Sequence, residues 1–465
     1  MMRNIFKKFQ IKWFWMLVLY TLVYATVNTA FGQSDLDQLL QIAQENSPSI
    51  AEKQALAEAS KEEISLEKKT LLPSVDIGYD ANFATYNNIT GMNYPGNNVP
   101  ISGPPSDDNY GGTVGSGVSM MVKWSPITFG ERKNAIAHNQ SIYEKQLASV
   151  SNEVLRIQFQ VAFYYLEIAS TKELITTYEK NIERNDFNLT RITKLVESGI
   201  RPSVDSLKVN AELSKSKSQL YQLKNLLVSQ EEQLKEYLSS DGVKEITTST
   251  FFFNHLPSAI KTYTDTATFV HPTLTIVTKE LEANEARLTE IKRAWTPKLE
   301  FWGTTYARGS GVAYDGTVNH ADGWGMQRYN YGVGLQLVFP IMDLASQKTK
   351  NIQQKAVVRA SQENIRKVEN NLKKQEVTAR TGLNTALAIA KEVPVEYEAS
   401  QGAYLSMQTR YEQGLVNYTE LIEAQYNLLD AEAKLKNAYA SAWKSLLQLA
   451  VVKGDIQLFL NQIKN

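Results

Sequence analysis

Cysteine is absent from the 465 residues, which excludes disulfides, thiolate metal sites, a cysteine nucleophile and lipidation on an N-terminal cysteine. Histidine is nearly absent as well, limited to His138, His255, His271 and His320. No two of these lie within one helical turn, so no HExxH-type zinc pair can form locally. Net charge is missing too, because 49 Lys and Arg balance 49 Asp and Glu. With no basic excess to neutralise a phosphate backbone, nucleic acid is not an expected partner. Nor does the sequence supply a convergent nucleophile, base and orienter, so it predicts no enzyme, metal site or cofactor. What is present, 43% hydrophobic and 21% charged residues, is the composition of an ordered protein.

The N-terminus carries Arg3, Lys7, Lys8 and Lys12 without an acid, then an apolar run over residues 13–27 and the small residues Ala30 and Gly32. This reads as a secretory signal peptide over residues 1–32, cut before Gln33. At about fifteen apolar residues the run is shorter than the roughly 20 that span a bilayer. Its removal leaves 45 basic against 49 acidic residues in a chain outside the cytoplasm.

An internal duplication organises the rest. Residues 48–73 align with 272–297 without a gap, matching Pro48 with Pro272, Glu58 with Glu282, Lys68 with Lys292 and Pro73 with Pro297. Further on, Gly199 aligns with Gly414, Asp205 with Glu420, Leu213 with Leu428 and Leu220 with Leu435. The expected organisation is repeat 1 over 33–240, with a β-hairpin at 72–126 and a helical hairpin at 127–240. A linker follows at 241–269. Repeat 2 covers 270–465, with a β-hairpin at 297–340, a helical hairpin at 341–453 and a C-terminal segment. In each repeat a shorter helix, over 36–69 or 273–293, precedes the strands. Residues 127–197 make about 70 positions with one early glycine, roughly 105 Å if helical. Leucines every seven residues, at 213, 220, 227 and 234 and at 421, 428 and 435, mark coiled-coil seams. Pro394 predicts a kink or a change of helix.

Four segments alternate with a period of two. Residues 73–85 set Val75, Ile77, Tyr79 and Phe83 against Asp76, Asp80 and Asn82, and residues 113–126 set Val118, Met120, Val122 and Trp124 against Gly117, Ser119 and Lys123. Residues 329–339 repeat the pattern, whereas 297–308 is less clean because Trp302 and Tyr306 share a face with Lys298, Glu300 and Arg308. Apolar faces with aromatics near the ends fit transmembrane strands. A half-buried soluble sheet is the alternative for these segments taken alone. Within a bilayer the sheet must close, and four strands are too few, so several copies must share one barrel. Two copies give a narrow, filled barrel and three a wider one; the polar face favours the wider. The connections at 86–112 and 309–328 read as long exposed loops.

These features together resemble the TolC-like outer-membrane efflux and secretion channel family, over residues 34–460. The resemblance is carried by Leu72-Pro73-Ser74 and Thr296-Pro297-Lys298 entering the hairpins and by Pro126-Ile127 and Pro340-Ile341 leaving them. More specific is Tyr411-Glu412-Gln413-Gly414-Leu415 followed by Leu421-Ile422-Glu423, with Val196-Glu197-Ser198-Gly199-Ile200 as its first-repeat counterpart. It implies an α+β membrane protein in which long antiparallel coiled-coil hairpins and four transmembrane strands form a homotrimeric 12-stranded barrel. An α-helical periplasmic tunnel continues that barrel. It further implies contact with outer-membrane lipid, a periplasmic adaptor and an inner-membrane pump of RND, ABC or MFS type, in efflux or type I-like secretion. The chain would then be a passive exit duct, with a non-channel structural or adhesive coiled-coil surface protein as the alternative. Two departures matter. Gly130-Glu131 and Asp343-Leu344-Ala345 replace the glycine pairs after the strand-exit prolines, and Val416 stands where the prototype has an arginine.

Candidate functional residues cluster at the helix reversals. Gly199 and Gly414 suit helix C-caps, and the resemblance makes them, with Ile200 and Leu415, the tip that adaptor hairpins contact. Glu420 and Glu423, three apart, share a helical face about 120° from the Leu421/Leu428 seam. Under three-fold symmetry they would form carboxylate rings favouring cations. The resemblance assigns acidic constriction residues to these positions and adds Asp205 and Tyr411 as gate residues.

Overall fold

A computed structural model describes residues 34–85, 111–239, 246–258, 271–293, 295–339 and 341–463. The expected signal peptide, most of the 86–112 connection and most of the 241–269 linker lie outside the described residues. In chain order the elements are α1 (Ser34–Asn46), α2 (Pro48–Lys69), β1 (Ser74–Ala84), β2 (Thr113–Ile127), α3 (Glu131–Glu197) and α4 (Ser203–Leu238), followed by α5 (Pro272–Arg293), β3 (Lys298–Ser310), β4 (Arg328–Val338), α6 (Ile341–Glu412), α7 (Tyr418–Val452) and α8 (Gln457–Ile463). No described helix is long and apolar enough to cross a membrane. The single helix expected over 36–69 is two, because Pro48 has no N–H to extend α1 and opens α2 at its first position. At Pro394, by contrast, no change of helix occurs, and α6 runs unbroken from Ile341 to Glu412. The lost backbone bond costs about 3 kcal/mol; burial of Leu387, Ala390 and Val393 on the same stretch offsets it.

The described chain forms two units. One, residues 56–146 and 277–365, holds a four-stranded antiparallel sheet in the order β1-β2-β3-β4. Its register places Ile77 opposite Met120, Met120 opposite Thr305 and Thr305 opposite Tyr331, so one face collects the apolar residues. That face is bare: Ile77 is 75%, Tyr331 89% and Val333 84% exposed. The opposite face carries Asp76, Asp80, Lys123, Arg308 and Arg328. The irregular alternation of β3 has a physical cause here. Trp302 lies flat over Gly332 and Gly334 on the polar face, and a Cβ on Gly334 would collide with its indole. Strands β1 and β4 each pair on one side only, leaving two open edges among the described residues. The β3–β4 connection is not an extended loop. It forms a small bridge, Val312 to Val318, and a 3-10 turn at His320–Trp324 that packs back onto β2, where Ser116 Oγ donates to the Gly323 carbonyl (2.5 Å).

The helices of this unit follow the strand order. Arg132 of α3 donates to Thr70 just beyond α2, and His138 of α3 donates to the Ala283 carbonyl of α5 (2.8 Å). Asn284 of α5 bonds to Ser361 of α6 (2.9 Å).

The other unit comprises residues up to Ala55, 147–276 and 366 onward. Its main core centres on Trp443, 1% exposed, whose ring meets Phe252 edge-on at 5.3 Å and whose Nε1 donates to the His255 carbonyl (2.9 Å). Residues 246–258 thus anchor in the core through Phe252 and Phe253. The heptad seam of α4 has two rows. Leu213 and Leu234 belong to the row visible in the sequence; Val209, Ser216, Leu223 and Gln230 form the second, and all four are buried.

Candidate functional site

Both helix reversals end in the same backbone motif. After α3, the Gly199 N–H donates to the Val196 carbonyl and the Ile200 N–H to the Leu195 carbonyl; after α6, Gly414 and Leu415 repeat this with Tyr411 and Arg410. This is the Schellman arrangement, which needs a left-handed residue at its corner. Gly199 at φ +67° and Gly414 at φ +75° supply it. Ile200 and Leu415, the next residues, are 67% and 64% exposed, so each reversal presents a bare aliphatic side chain.

Beneath the reversals lies a small second core of Ile192, Val209, Tyr404, Tyr411, Tyr418 and Leu421. Tyr411 is 4% exposed and meets Tyr418 edge-on at 5.5 Å. Arg201, two residues after Gly199, sits over the Tyr411 ring at 4.5 Å and donates to its backbone carbonyl (3.2 Å). It therefore ties the first reversal to the end of α6. Burial pushes the Tyr411 phenol above its ordinary range, opposed by Arg201 and assisted by the nearby Asp205 carboxylate. Tyr418 is raised further, by burial and then by Tyr411, Tyr404 and Asp205. Asp205 itself is buried in the first turn of α4, where the helix dipole favours a carboxylate.

Glu420 and Glu423 are exposed on α7, while Leu421 and Leu428 are buried on another face. The two carboxylates border an open groove with Ala399, Ala403 and Met407 of α6. They are not equivalent. Glu420 closes a cap: the Asn417 side chain accepts from the Glu420 N–H (3.1 Å) and donates to its carboxylate (2.7 Å). Glu423 has no hydrogen-bond partner among the described residues. The signal for the cap, Asn417-x-x-Glu420 before an apolar run, stands in the sequence.

Between the two cores is a buried amide cluster that the sequence reading does not identify. Gln425 Nε2 donates to Asn181 Oδ1 (3.1 Å) and Asn185 Oδ1 (2.9 Å), and its Oε1 accepts from Asn188 (3.3 Å). Asn181 in turn donates to Ser216 Oγ (3.0 Å), so α3, α4 and α7 are joined by one network. Nearby, Arg184 holds Glu432 with two bonds of 3.0 and 2.8 Å. Among the described residues no group of three or more His, Asp or Glu is arranged to hold a metal ion.

A sheet with one bare apolar face, in a chain otherwise built of long helical hairpins, has the features of a membrane channel component. The chain belongs to the outer membrane efflux protein family, whose model matches residues 39–240 and 270–455. Its fold is that of solved outer-membrane channels. The VceC outer membrane protein of Vibrio cholerae aligns at 14% identity over 91% of this chain and 96% of that one, with a TM-score of 0.71. The CmeC outer membrane channel of Campylobacter jejuni aligns at 14% identity over 90% and 85%, at 0.72. CusC, described for conformational changes accompanying folding and transmembrane channel formation, aligns at 12% identity over 91% and 92%, at 0.73. No curated protein matches the chain in sequence. Family membership places the protein in the outer membrane, as part of an efflux system.

Proposed function

We propose that three copies of the chain close their sheets into one 12-stranded barrel and act as the passive exit duct of a tripartite pump. A periplasmic adaptor and an inner-membrane pump supply cargo and energy. The observation that carries this reading is the sheet with two open edges and a bare apolar face. In a bilayer such edges must be paired, and the polar face with Asp76, Asp80, Lys123 and Arg328 suits a lumen wide enough to be wet. The helices agree, since none of residues 345–378 of α6 is buried within one chain. A helix so bare draws its stability from neighbours. The tip formed by Gly199, Ile200, Gly414 and Leu415 docks the adaptor.

The gate lies at the same end. Glu423 provides the ring of carboxylates, Glu420 borders it while capping α7, and Asp205 and Tyr411 hold the reversal in its closed packing. The decisive experiment is the mass of the carbonate-washed, detergent-extracted protein, followed by conductance in planar bilayers. A trimer that conducts is the expected result; a monomer released by the wash would overturn the duct. In the conducting trimer, Glu423→Gln should shift the reversal potential toward anion permeation. Glu420→Gln should shift it less and change stability by no more than about 0.5 kcal/mol, because the backbone N–H of residue 420 keeps its bond to Asn417 and a glutamine oxygen still accepts from the Asn417 side chain. Unchanged selectivity in Glu423→Gln would remove that residue from the constriction.

A further inference from the structure

We propose that the two edges of the sheet-bearing unit are charge-matched to each other. The acidic flank of α2, Glu58 and Glu62, meets the basic flank of α6, Lys348, Lys355 and Arg359, in a second copy of this chain. The inference rests on the assembled reading above and adds the chemistry that selects and orders the copies. Within one chain the helices run α2, α3, α5, α6 in step with β1 to β4, so α2 and α6 are the helical edges of the unit. Any closed ring of copies sets α6 of one against α2 of the next.

The side chains on those edges are complementary. α2 buries Ala57 and Ile64, and α3 is the helix bonded to its end through Arg132 and Thr70, so we take the buried pair as the inner side. At 100° per residue, Ala59, Glu62 and Leu66 lie about opposite, and Glu58 lies on one flank. α6 faces α5 with Gln347, Gln354 and Ser361, which bond to Lys292 and Asn284. About opposite lie Ile352 and Ala356, and about 80–120° round lie Lys348, Lys355 and Arg359. Leu66 and Ile352 are 63% and 62% exposed, so each edge presents one bare aliphatic residue beside alanine. α2 runs toward the sheet and α6 away from it. Flanks counted in the same rotational sense from the inner partner therefore come to the same side when the edges meet, which puts Glu58 and Glu62 beside the three cations.

The charge segregation is local and complete on α6. Residues 348–359 hold Lys348, Lys350, Lys355 and Arg359 with no carboxylate, whereas residues 56–67 hold Glu58, Glu62, Glu63 and Glu67 with one cation, Lys61. None of Glu58, Glu62, Lys348, Lys355 or Arg359 has an ion-pair partner among the described residues. Two like edges would place carboxylates against carboxylates or cations against cations, so the pattern admits only head-to-tail closure, the heterologous contact that makes a ring.

A charge-swap series on the full-length, detergent-extracted protein tests this, read as the temperature at which the assembled mass is lost in light scattering. Reversing α6 (Lys348→Glu, Lys355→Glu, Arg359→Glu) or α2 (Glu58→Lys, Glu62→Lys) should lower that temperature by roughly 5–10 °C at low salt, with the difference shrinking in high salt. The combined variant should recover most of the loss, which a variant that merely folds poorly would not do. Single reversals that leave the temperature unchanged, or a combined variant no better than either, would overturn the charge match while the trimer stands. An unsubstituted protein that is monomeric would overturn both readings.

Discussion

Replacing Gln425 with leucine is expected to destabilise the helical hairpins by about 3 kcal/mol, although leucine is close to glutamine in size and more apolar. The cost arises in the partners. Gln425 satisfies the carbonyl oxygens of Asn181 and Asn185 and the amide of Asn188, all buried. Leucine would leave those groups with neither protein nor a full complement of water. A small polar cleft lined by Asn181, Asn185, Ser216 and Gln425 opens beside the network, so water entering there sets the lower bound. Denaturant or thermal midpoints of the detergent-solubilised protein measure the loss. A change below about 1 kcal/mol would mean that water replaces the glutamine and that the network does not set helix register.

Leu415→Asp should abolish export while leaving the protein folded and assembled. Leu415 is 64% exposed and packs against nothing that its loss would open, so stability should change by no more than about 0.5 kcal/mol. A charged group at the centre of the proposed dock would remove an apolar contact and add a desolvated carboxylate, a combination that costs roughly 2 kcal/mol or more of binding. A strain carrying the substitution should behave like one lacking the chain, while the extracted protein keeps its mass and conductance. Export at the unsubstituted level would take the reversal out of adaptor contact. Ile200→Asp provides the matched test for the first repeat, and a weaker effect there would show that the two reversals are not used alike.

The period-two segments were legible because each strand sets polar residues on one face and apolar residues on the other, and the structure ends all four within two residues of the sequence reading. Strand β3 was harder to read for a reason now visible: Trp302 belongs to the polar face because Gly332 and Gly334 leave it a flat seat. The coiled-coil seam of α4 was half legible. Leucines at 213 and 234 announce themselves, but Ser216 and Gln230 in the second row look like surface residues until their partners Asn181 and Thr171 are seen across the seam. Those partners lie 35 and 59 positions away, beyond any local pattern. Arg201 was missed similarly, since its target Tyr411 is 210 residues distant. Glu420 and Glu423 looked interchangeable in sequence; the Asn417 cap separates them.

The order of the sheet carries a consequence for how the chain reaches this state. Val118 of β2 pairs with Ala307 of β3, about 190 positions later, so the middle ladder is the most distant contact of the sheet. Each outer ladder, β1 with β2 and β3 with β4, can form within its own repeat, but it then exposes an apolar face and two unpaired backbones. Such hairpins are sticky toward one another and toward other chains. Between export and insertion the protein is therefore expected to be a client of holding chaperones. Closing the central ladder covers only two of the unpaired backbones, so the bare apolar face and the outer edges of β1 and β4 prolong that dependence until the membrane takes them up.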